Sequence, residues 1–157
     1  MATQKQTDFV KTVYPAAEKL RLTETQIAHP LFITAQAALE TGWNIRQDNN
    51  LFGIKAGASW KGKTATYMTR EYLNGEWVKI PQVFRVYNSM TDALRDHQAV
   101  LKLKGYADAW PSKDDPHRFA EKIVDEVGSK YATDPDYAKK IKQIIDKVYK
   151  IVLNEKL

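Results

Sequence analysis

The sequence predicts an α+β protein that is predominantly helical, with a single β-hairpin inserted between its helices. Apolar residues recur at helical spacing in five separate segments of the chain. Between the second and third of these segments, two runs rich in aromatic and β-branched residues flank Asn74-Gly75, a pair that favours a type I′ hairpin turn. With 157 residues and 43% hydrophobic content, the chain is long enough to form one domain with its own core.

The first two predicted helices precede the hairpin. From Thr7 to Leu22 the apolar residues follow helical spacing, and Pro15 predicts a kink. The second helix begins at Pro30, a residue suited to a first helical position, and ends at Gly42. Because this helix is apolar nearly all round, we expect it to be central. The Asn, Gly and Asp content of residues 44–62 predicts a structured loop after it.

The hairpin strands are predicted over Tyr67–Leu73 and Glu76–Tyr87, within a β-lobe of about residues 65–88. Pro81 has no N–H to donate to a strand ladder. It therefore places part of the second strand at a sheet edge.

Three helices are predicted after the hairpin. Ser89 is a candidate N-cap for a helix that runs towards Gly105. A second helix fits Pro116–Val127, and the last begins at Asp134-Pro135 with apolar residues on one face.

Composition excludes several classes of protein. The chain has no cysteine, which rules out disulfides, thiol nucleophiles and Cys-ligated metals. The longest uncharged stretch, residues 25–39, is interrupted by Pro30 and is too short for a membrane span, so we expect no membrane insertion. The first seven residues contain no apolar core of a secretory signal. The three histidines form no ligand pair, and we expect no metal and no organic cofactor.

Two other features could suggest nucleotide binding and nucleic-acid binding, both of which we regard as remote. Gly57–Thr64 matches the phosphate-loop pattern, but the residues after it lead into a hairpin rather than a helix, which favours a surface turn. The formal net charge is +5, and lysines are concentrated in 139–157. They are typical of a solvated helix face or of attraction to an anionic wall, and no nucleic-acid-binding motif accompanies them.

Glu40 is the strongest candidate for chemistry. It follows an almost uncharged helix and precedes Thr41-Gly42-Trp43, so it lies in the last helical turn, facing a cleft or the core. The helix dipole, apolar neighbours and Trp43 would each disfavour its charged form and raise its pKa towards the value that a general acid needs. A frayed helix end with Glu40 in solvent is the alternative.

Six motifs occur in an order found in one known family. They are Ala37-Ala-Leu-Glu-Thr-Gly-Trp43, Asn49-Asn-Leu-Phe-Gly-Ile-Lys55, Thr69-Arg-Glu-Tyr72, Phe84-Arg-Val-Tyr87, Asp96-His97 and Tyr131-Ala-Thr-Asp-Pro-Asp-Tyr-Ala138. On these motifs the chain resembles glycoside hydrolase family 73, the peptidoglycan-cleaving β-N-acetylglucosaminidases, from about Phe9 to Tyr149.

The resemblance implies a lysozyme-like fold in which a helical lobe and a small β-lobe flank a glycan groove. It also implies that Glu40 is the general acid, that Glu71 is the second acidic residue and that Tyr131 lines the cleavage site. Lys130 stands where the family more usually has glycine.

Several residues are candidate contacts to sugar rings or to the N-acetyl group, although core packing is an equal alternative for each of them. They are Trp43, Asn50, Phe52, Trp60, Tyr67 and Tyr72.

The expected function is therefore that of one catalytic domain, residues 1–157, which cuts peptidoglycan after N-acetylglucosamine. Glu71 either activates water or supports attack by the substrate's own N-acetyl group. A muramidase or lytic transglycosylase on the same fold, or a non-catalytic peptidoglycan-binding module, is the alternative. We expect a monomer that acts on glycan strands of the bacterial cell wall, in the periplasm or outside the cell, by an export route that the sequence does not specify.

Overall fold

Five α-helices and one two-stranded sheet form the part of the chain that the computed structural model describes, residues 1–126 and 134–157. The elements are α1 (Gln4–Thr23), α2 (Pro30–Thr41), β1 (Thr64–Leu73), β2 (Glu76–Arg85), α3 (Met90–Leu101), a 3₁₀ segment (Lys104–Ser112), α4 (Pro116–Glu121) with a π-helical turn (Lys122–Glu126), and α5 (Tyr137–Glu155). The predicted α+β class is confirmed. No helix in the described ranges is long and apolar enough to cross a membrane.

Helix α2 is the innermost element and packs against α1, α4 and α5. Eight of its twelve residues are buried, all of them between Pro30 and Ala38, as its all-round apolar sequence predicts. His29 caps it, because the Nδ1 atom accepts a hydrogen bond from the Leu31 N–H at 3.0 Å. Gly42 ends it in a left-handed conformation with φ +61°.

Helix α1 begins three residues earlier than predicted. Thr3 and Gln6 form a reciprocal capping box, which satisfies backbone donors at the helix start. Pro15 lies inside the helix, which continues to Thr23.

The hairpin has the predicted turn. Asn74 and Gly75 both have positive φ angles, +52° and +80°, as a type I′ turn requires. The strands pair antiparallel over Thr64–Arg85, so β1 begins three residues before the predicted Tyr67. The loop over residues 54–56 pairs with the outer edge of β2 and holds the preceding loop against the sheet.

The C-terminal half departs from the predicted boundaries. Ser89 caps α3 as expected, but the helix ends at Leu101 and a 3₁₀ segment follows. Helix α4 begins at Pro116 as predicted and has only six residues before the π-helical turn. The predicted end at Val127 lies outside the described residues.

The last helix begins at Tyr137 rather than at Asp134-Pro135. The Asp134 side chain accepts a hydrogen bond from the Asp136 N–H at 2.9 Å. This local bond forms a turn and delays the first helical residue, because a short polar side chain competes with the helix for backbone donors.

Candidate active site

A groove of about 630 Å³ lies between the helices and the hairpin. Its walls are the C-terminal end of α2, the loop over residues 46–55, both strands of the hairpin and the start of α5. A volume of this size is typical of a small-molecule or sugar site.

Glu40 lies in this groove, in the last turn of α2. Its side chain is accessible from the groove, and the Tyr137 hydroxyl donates a hydrogen bond of 2.8 Å to Oε1. Burial among the protein atoms around it raises the pKa of Glu40 to about 7. The bond from Tyr137 opposes this rise, the negative charge of Glu71 adds to it, and Lys55 opposes it.

The position agrees with the expectation that Glu40 lies in the last turn of the helix beside a cleft, where its charged form is disfavoured. The helix continues through Thr41, so Glu40 lies in a regular helical turn. The cause of the raised Glu40 pKa differs from the expected one in one respect. Trp43 takes no part, because it packs edge-on against Phe9 of α1, with ring centroids 5.8 Å apart.

Gly53 forms the surface against which the Glu40 carboxyl group rests. A β-carbon built on Gly53 would lie 3.0 Å from Oε2 of Glu40, and the φ angle of Gly53 is +63°. Only glycine combines this backbone conformation with this close approach at low cost.

Glu71 enters the groove from β1, as the resemblance implies. Its Oε1 atom lies 3.1 Å from the Lys55 ammonium and accepts a weaker bond, 3.4 Å long, from the Thr69 hydroxyl. The Glu71 side chain is largely buried, with 16% of it exposed. Its carboxylate, paired with the Lys55 ammonium, places a negative charge at the groove.

A second polar cluster holds Tyr67 at the groove. Its hydroxyl donates to Asp48 at 3.0 Å, and the Arg46 guanidinium makes two bonds to the same carboxylate, at 3.0 and 2.7 Å. Burial raises the pKa of Asp48, but these bonds and one from the Asn50 N–H lower it more, to below its usual range.

Two of the predicted substrate contacts, Asn50 and Phe52, lie in the groove wall but are almost fully buried. Asn50 donates both amide hydrogens to backbone oxygens, of Ile54 and Arg85, and accepts from the Ile54 N–H. Phe52 stacks on His97 with a centroid distance of 3.6 Å. Their contacts within the protein hold the loop in place.

Three other predicted contacts do not line the groove: Trp43, Trp60 and Tyr72. Trp60 faces a separate depression and packs against Tyr87. Tyr72 packs edge-on against Trp77.

The sequence reasoning missed Tyr137, Gly53 and Trp77, all of which line the groove. Tyr137 and Gly53 stand inside two of the quoted motifs, and that was the available signal. Tyr131, which the resemblance places at the cleavage site, lies outside the described residues.

The phosphate-loop pattern forms turns and bends that lead into β1, with no helix after it, as expected of a surface turn. Within residues 1–126 and 134–157, no group of three or more His, Cys, Asp or Glu side chains is arranged to hold a metal ion.

The fold and the groove together define a class. A helical lobe, a small β-lobe and a carboxylic acid of raised pKa facing a second carboxylate are the parts of a lysozyme-like glycoside hydrolase. The chain belongs to the Glucosaminidase family, described as mannosyl-glycoprotein endo-β-N-acetylglucosaminidase, and matches it over residues 15–150.

Relatives and solved structures agree with this membership. The chain is 39% identical to the peptidoglycan hydrolase FlgJ of Pseudomonas aeruginosa, in an alignment that covers 87% of this chain and 35% of that protein. It is 33% identical to a probable N-acetylmuramidase of Lactococcus lactis subsp. lactis over 92% of this chain and 34% of that protein. The chain thus spans about a third of the length of these relatives.

A peptidoglycan hydrolase mutant from Sphingomonas sp. A1 superposes with a TM-score of 0.81 at 35% identity, covering 94% of this chain and 99% of that one. A C-terminally truncated glycoside hydrolase domain of Salmonella typhimurium FlgJ gives a TM-score of 0.70 at 33% identity with the same coverage.

Proposed function

We propose that this chain hydrolyses the glycan strands of bacterial peptidoglycan at the bond after N-acetylglucosamine, acting on the cell wall outside the cytoplasmic membrane. Glu40 is the general acid, and Glu71 and Tyr131 assist it. The observation that carries the proposal is the Glu40 carboxyl group, which faces a sugar-sized groove with a pKa raised to about 7.

Glycoside hydrolysis needs a hydrogen on the leaving oxygen and stabilisation of an oxocarbenium-like transition state. Near neutral pH, a carboxyl group with a pKa of about 7 is partly protonated, so Glu40 has a hydrogen to donate. Glu71, paired with Lys55, supplies negative charge from the hairpin side. The proposed acid therefore lies on the α2 wall of the groove, and the stabilising negative charge lies on the hairpin wall.

Two routes complete the hydrolysis. Glu71 activates a water molecule, which inverts the anomeric configuration, or the substrate's N-acetyl group attacks the anomeric carbon, which retains it. Nuclear magnetic resonance of the first product formed reads the anomeric configuration and separates the two routes.

The test is Glu40→Gln in a clearing assay on purified cell walls. The amide keeps the shape and still accepts the Tyr137 bond, but it has no acidic hydrogen, so we expect at least a hundredfold loss of rate with the fold retained. Glu76→Gln is the matched control, because Glu76 is an exposed hairpin carboxylate that does not line the groove. Clearing by Glu40→Gln at the wild-type rate would defeat the assignment.

An N-acetylmuramidase is the second candidate, because a probable N-acetylmuramidase of Lactococcus lactis aligns with 92% of this chain. Mass spectrometry of the released fragments decides between the two. N-acetylglucosamine at the reducing ends supports the proposed cleavage, and N-acetylmuramic acid supports the alternative.

A further inference from the structure

A buried chain of hydrogen bonds leads from the backbone of Ala28 to the carboxyl group of Glu40. Its side chains come from α2, α3 and α5, and their order is Gln98, His97, Gln36, Tyr137 and Glu40. The heavy-atom distances along the chain are 2.8, 3.1, 2.5, 3.1 and 2.8 Å. The side chains of Gln36, His97 and Gln98 are buried, so water does not compete for these bonds.

The backbone end of this chain sets the direction of every bond in it. The Ala28 N–H can only donate, so the Gln98 side chain must present its oxygen there and its nitrogen to Nδ1 of His97. An amide nitrogen also only donates, so Nδ1 accepts. Burial lowers the pKa of His97 to about 3, which keeps the ring neutral with its single hydrogen on Nε2.

The same direction continues to the groove. His97 Nε2–H donates to the Gln36 oxygen, and the Gln36 nitrogen donates to the Tyr137 hydroxyl oxygen. That oxygen accepts from Gln36, and its own hydrogen points to Oε1 of Glu40. Reversing the Gln98 amide would set two donors against each other at Ala28, and reversing the Gln36 amide would do so at Nε2 of His97.

We propose that Gln36 and His97 are positioning residues that act through Tyr137, so that neutral Glu40 carries its transferable hydrogen on Oε2. This inference rests on the proposed role of Glu40 as general acid. The Tyr137 bond makes Oε1 the carbonyl oxygen, because a carbonyl oxygen is the better acceptor. Oε2 is the oxygen beside Gly53 in the groove wall.

The transfer step follows from this arrangement. The Oε2–H bond breaks and a new O–H bond forms on the glycosidic oxygen, while the electron pair of the breaking carbon–oxygen bond goes to that oxygen. Glu40 becomes a carboxylate. Tyr137 already donates to Oε1 and so stabilises the new charge without rearrangement.

The first test uses the unmodified protein. Nitrogen-15 resonances of the His97 ring report which nitrogen carries hydrogen. We expect Nδ1 to be unprotonated and Nε2 to be protonated. The opposite tautomer, or a doubly protonated ring at neutral pH, overturns the direction of the chain.

The second test is a double-mutant cycle with Gln36→Met, Tyr137→Phe and the double variant, measured as kcat and KM on soluble peptidoglycan glycan chains. We expect each single variant to lower kcat about tenfold or more with KM within about twofold, since a misplaced acid impairs chemistry rather than binding. The double variant should lose no more than Tyr137→Phe alone, because Gln36 acts through Tyr137.

Thr34→Val is the matched control, since Thr34 is also buried in α2 and its hydroxyl has no hydrogen-bond partner among the described residues. Its kcat should equal that of the wild type. An unchanged kcat in Gln36→Met, or losses that multiply in the double variant, overturns the inference. If Gln36→Met does not fold, the tautomer measurement decides.

The same series separates this inference from the proposed function. Wild-type protein that releases no reducing ends, or full activity in Glu40→Gln, contradicts the function itself. Activity that depends on Glu40 but is indifferent to Gln36 contradicts only the positioning chain.

Discussion

The backbone of Gly53 lies directly against the carboxyl group of Glu40, so close that an added β-carbon would be 3.0 Å from Oε2 and 3.7 Å from the carboxyl carbon. A loop residue between α2 and the hairpin thus shapes the space around the proposed acid. The loop itself is held by the Asn50 side chain, which bonds to the backbone of Ile54 and Arg85.

Gly53→Ala should therefore lower activity by about tenfold, because the added methyl group displaces the Glu40 carboxyl group by a few tenths of an ångström. Gly57→Ala is a matched control: Gly57 has the same φ of +63°, and its β-carbon would meet nothing within 4 Å. Both substitutions should cost about 1 to 2 kcal/mol of stability through the left-handed backbone. Kinetics and urea unfolding check this, and equal activity in the two variants contradicts the contact.

Activity should fall as the pH rises through about 7. As the proposed general acid, Glu40 can donate a hydrogen only in its neutral form, and its raised pKa keeps that form populated up to about pH 7. A pH profile of kcat/KM reports this ionisation in the free enzyme, and an alkaline limb near pH 4 or 5 contradicts the raised pKa.

Lys55→Gln should move this alkaline limb to higher pH. The positive charge of Lys55 lowers the pKa of Glu40, so its removal favours the neutral acid. Lys79→Gln, a hairpin lysine that does not line the groove, serves as the control. A limb that moves to lower pH, or the same shift in both variants, contradicts the predicted coupling.

Trp77→Ala should raise KM about tenfold with little change in kcat, since an exposed ring in the groove offers a surface for a sugar. The Arg70 guanidinium stacks on this ring at 4.5 Å. Trp60→Ala, outside the groove, should lower the melting temperature and leave KM unchanged. If the wild type and Trp77→Ala have equal KM values, the prediction that Trp77 contacts the substrate is wrong.

Asp96→Ala should lower the free energy of unfolding by about 2 kcal/mol or more. Asp96 accepts bonds from Tyr87 at 2.5 Å and Arg85 at 2.8 Å, and its loss leaves both donors without this partner. Asp92→Ala on the same helix, with its side chain 52% exposed, should cost less than about 1 kcal/mol. Urea unfolding measures both, and similar losses would refute the predicted difference.

The parts of the fold set by local patterns were predictable from the sequence. The mostly apolar segment between Pro30 and Gly42 predicts helix α2, and Asn74-Gly75 predicts the hairpin. Turns and caps depend on residues that are adjacent in the sequence, so a local sequence pattern is enough to predict them. The start of α5 was misplaced because Asp134 bonds locally instead of capping the helix.

Only part of the site could be predicted from the sequence, because its contacts join segments that are distant in the sequence. Glu40 and Tyr137 are 97 positions apart, and no local pattern pairs them. Trp43 looked like a groove residue because it follows Glu40 closely. Its left-handed backbone, φ +65°, turns the ring away to Phe9 instead.

Helix α2 and the hairpin should differ in their tolerance of substitutions, because α2 is central and buried whereas the hairpin is largely exposed. Helix α2 fills the middle of the core and carries the proposed acid, so substitutions that alter its packing should disturb stability and turnover together. The hairpin has mostly exposed or half-exposed side chains on both strands. Efforts to redirect the enzyme to other glycans by directed evolution should therefore diversify hairpin positions other than Glu71 and leave α2 untouched.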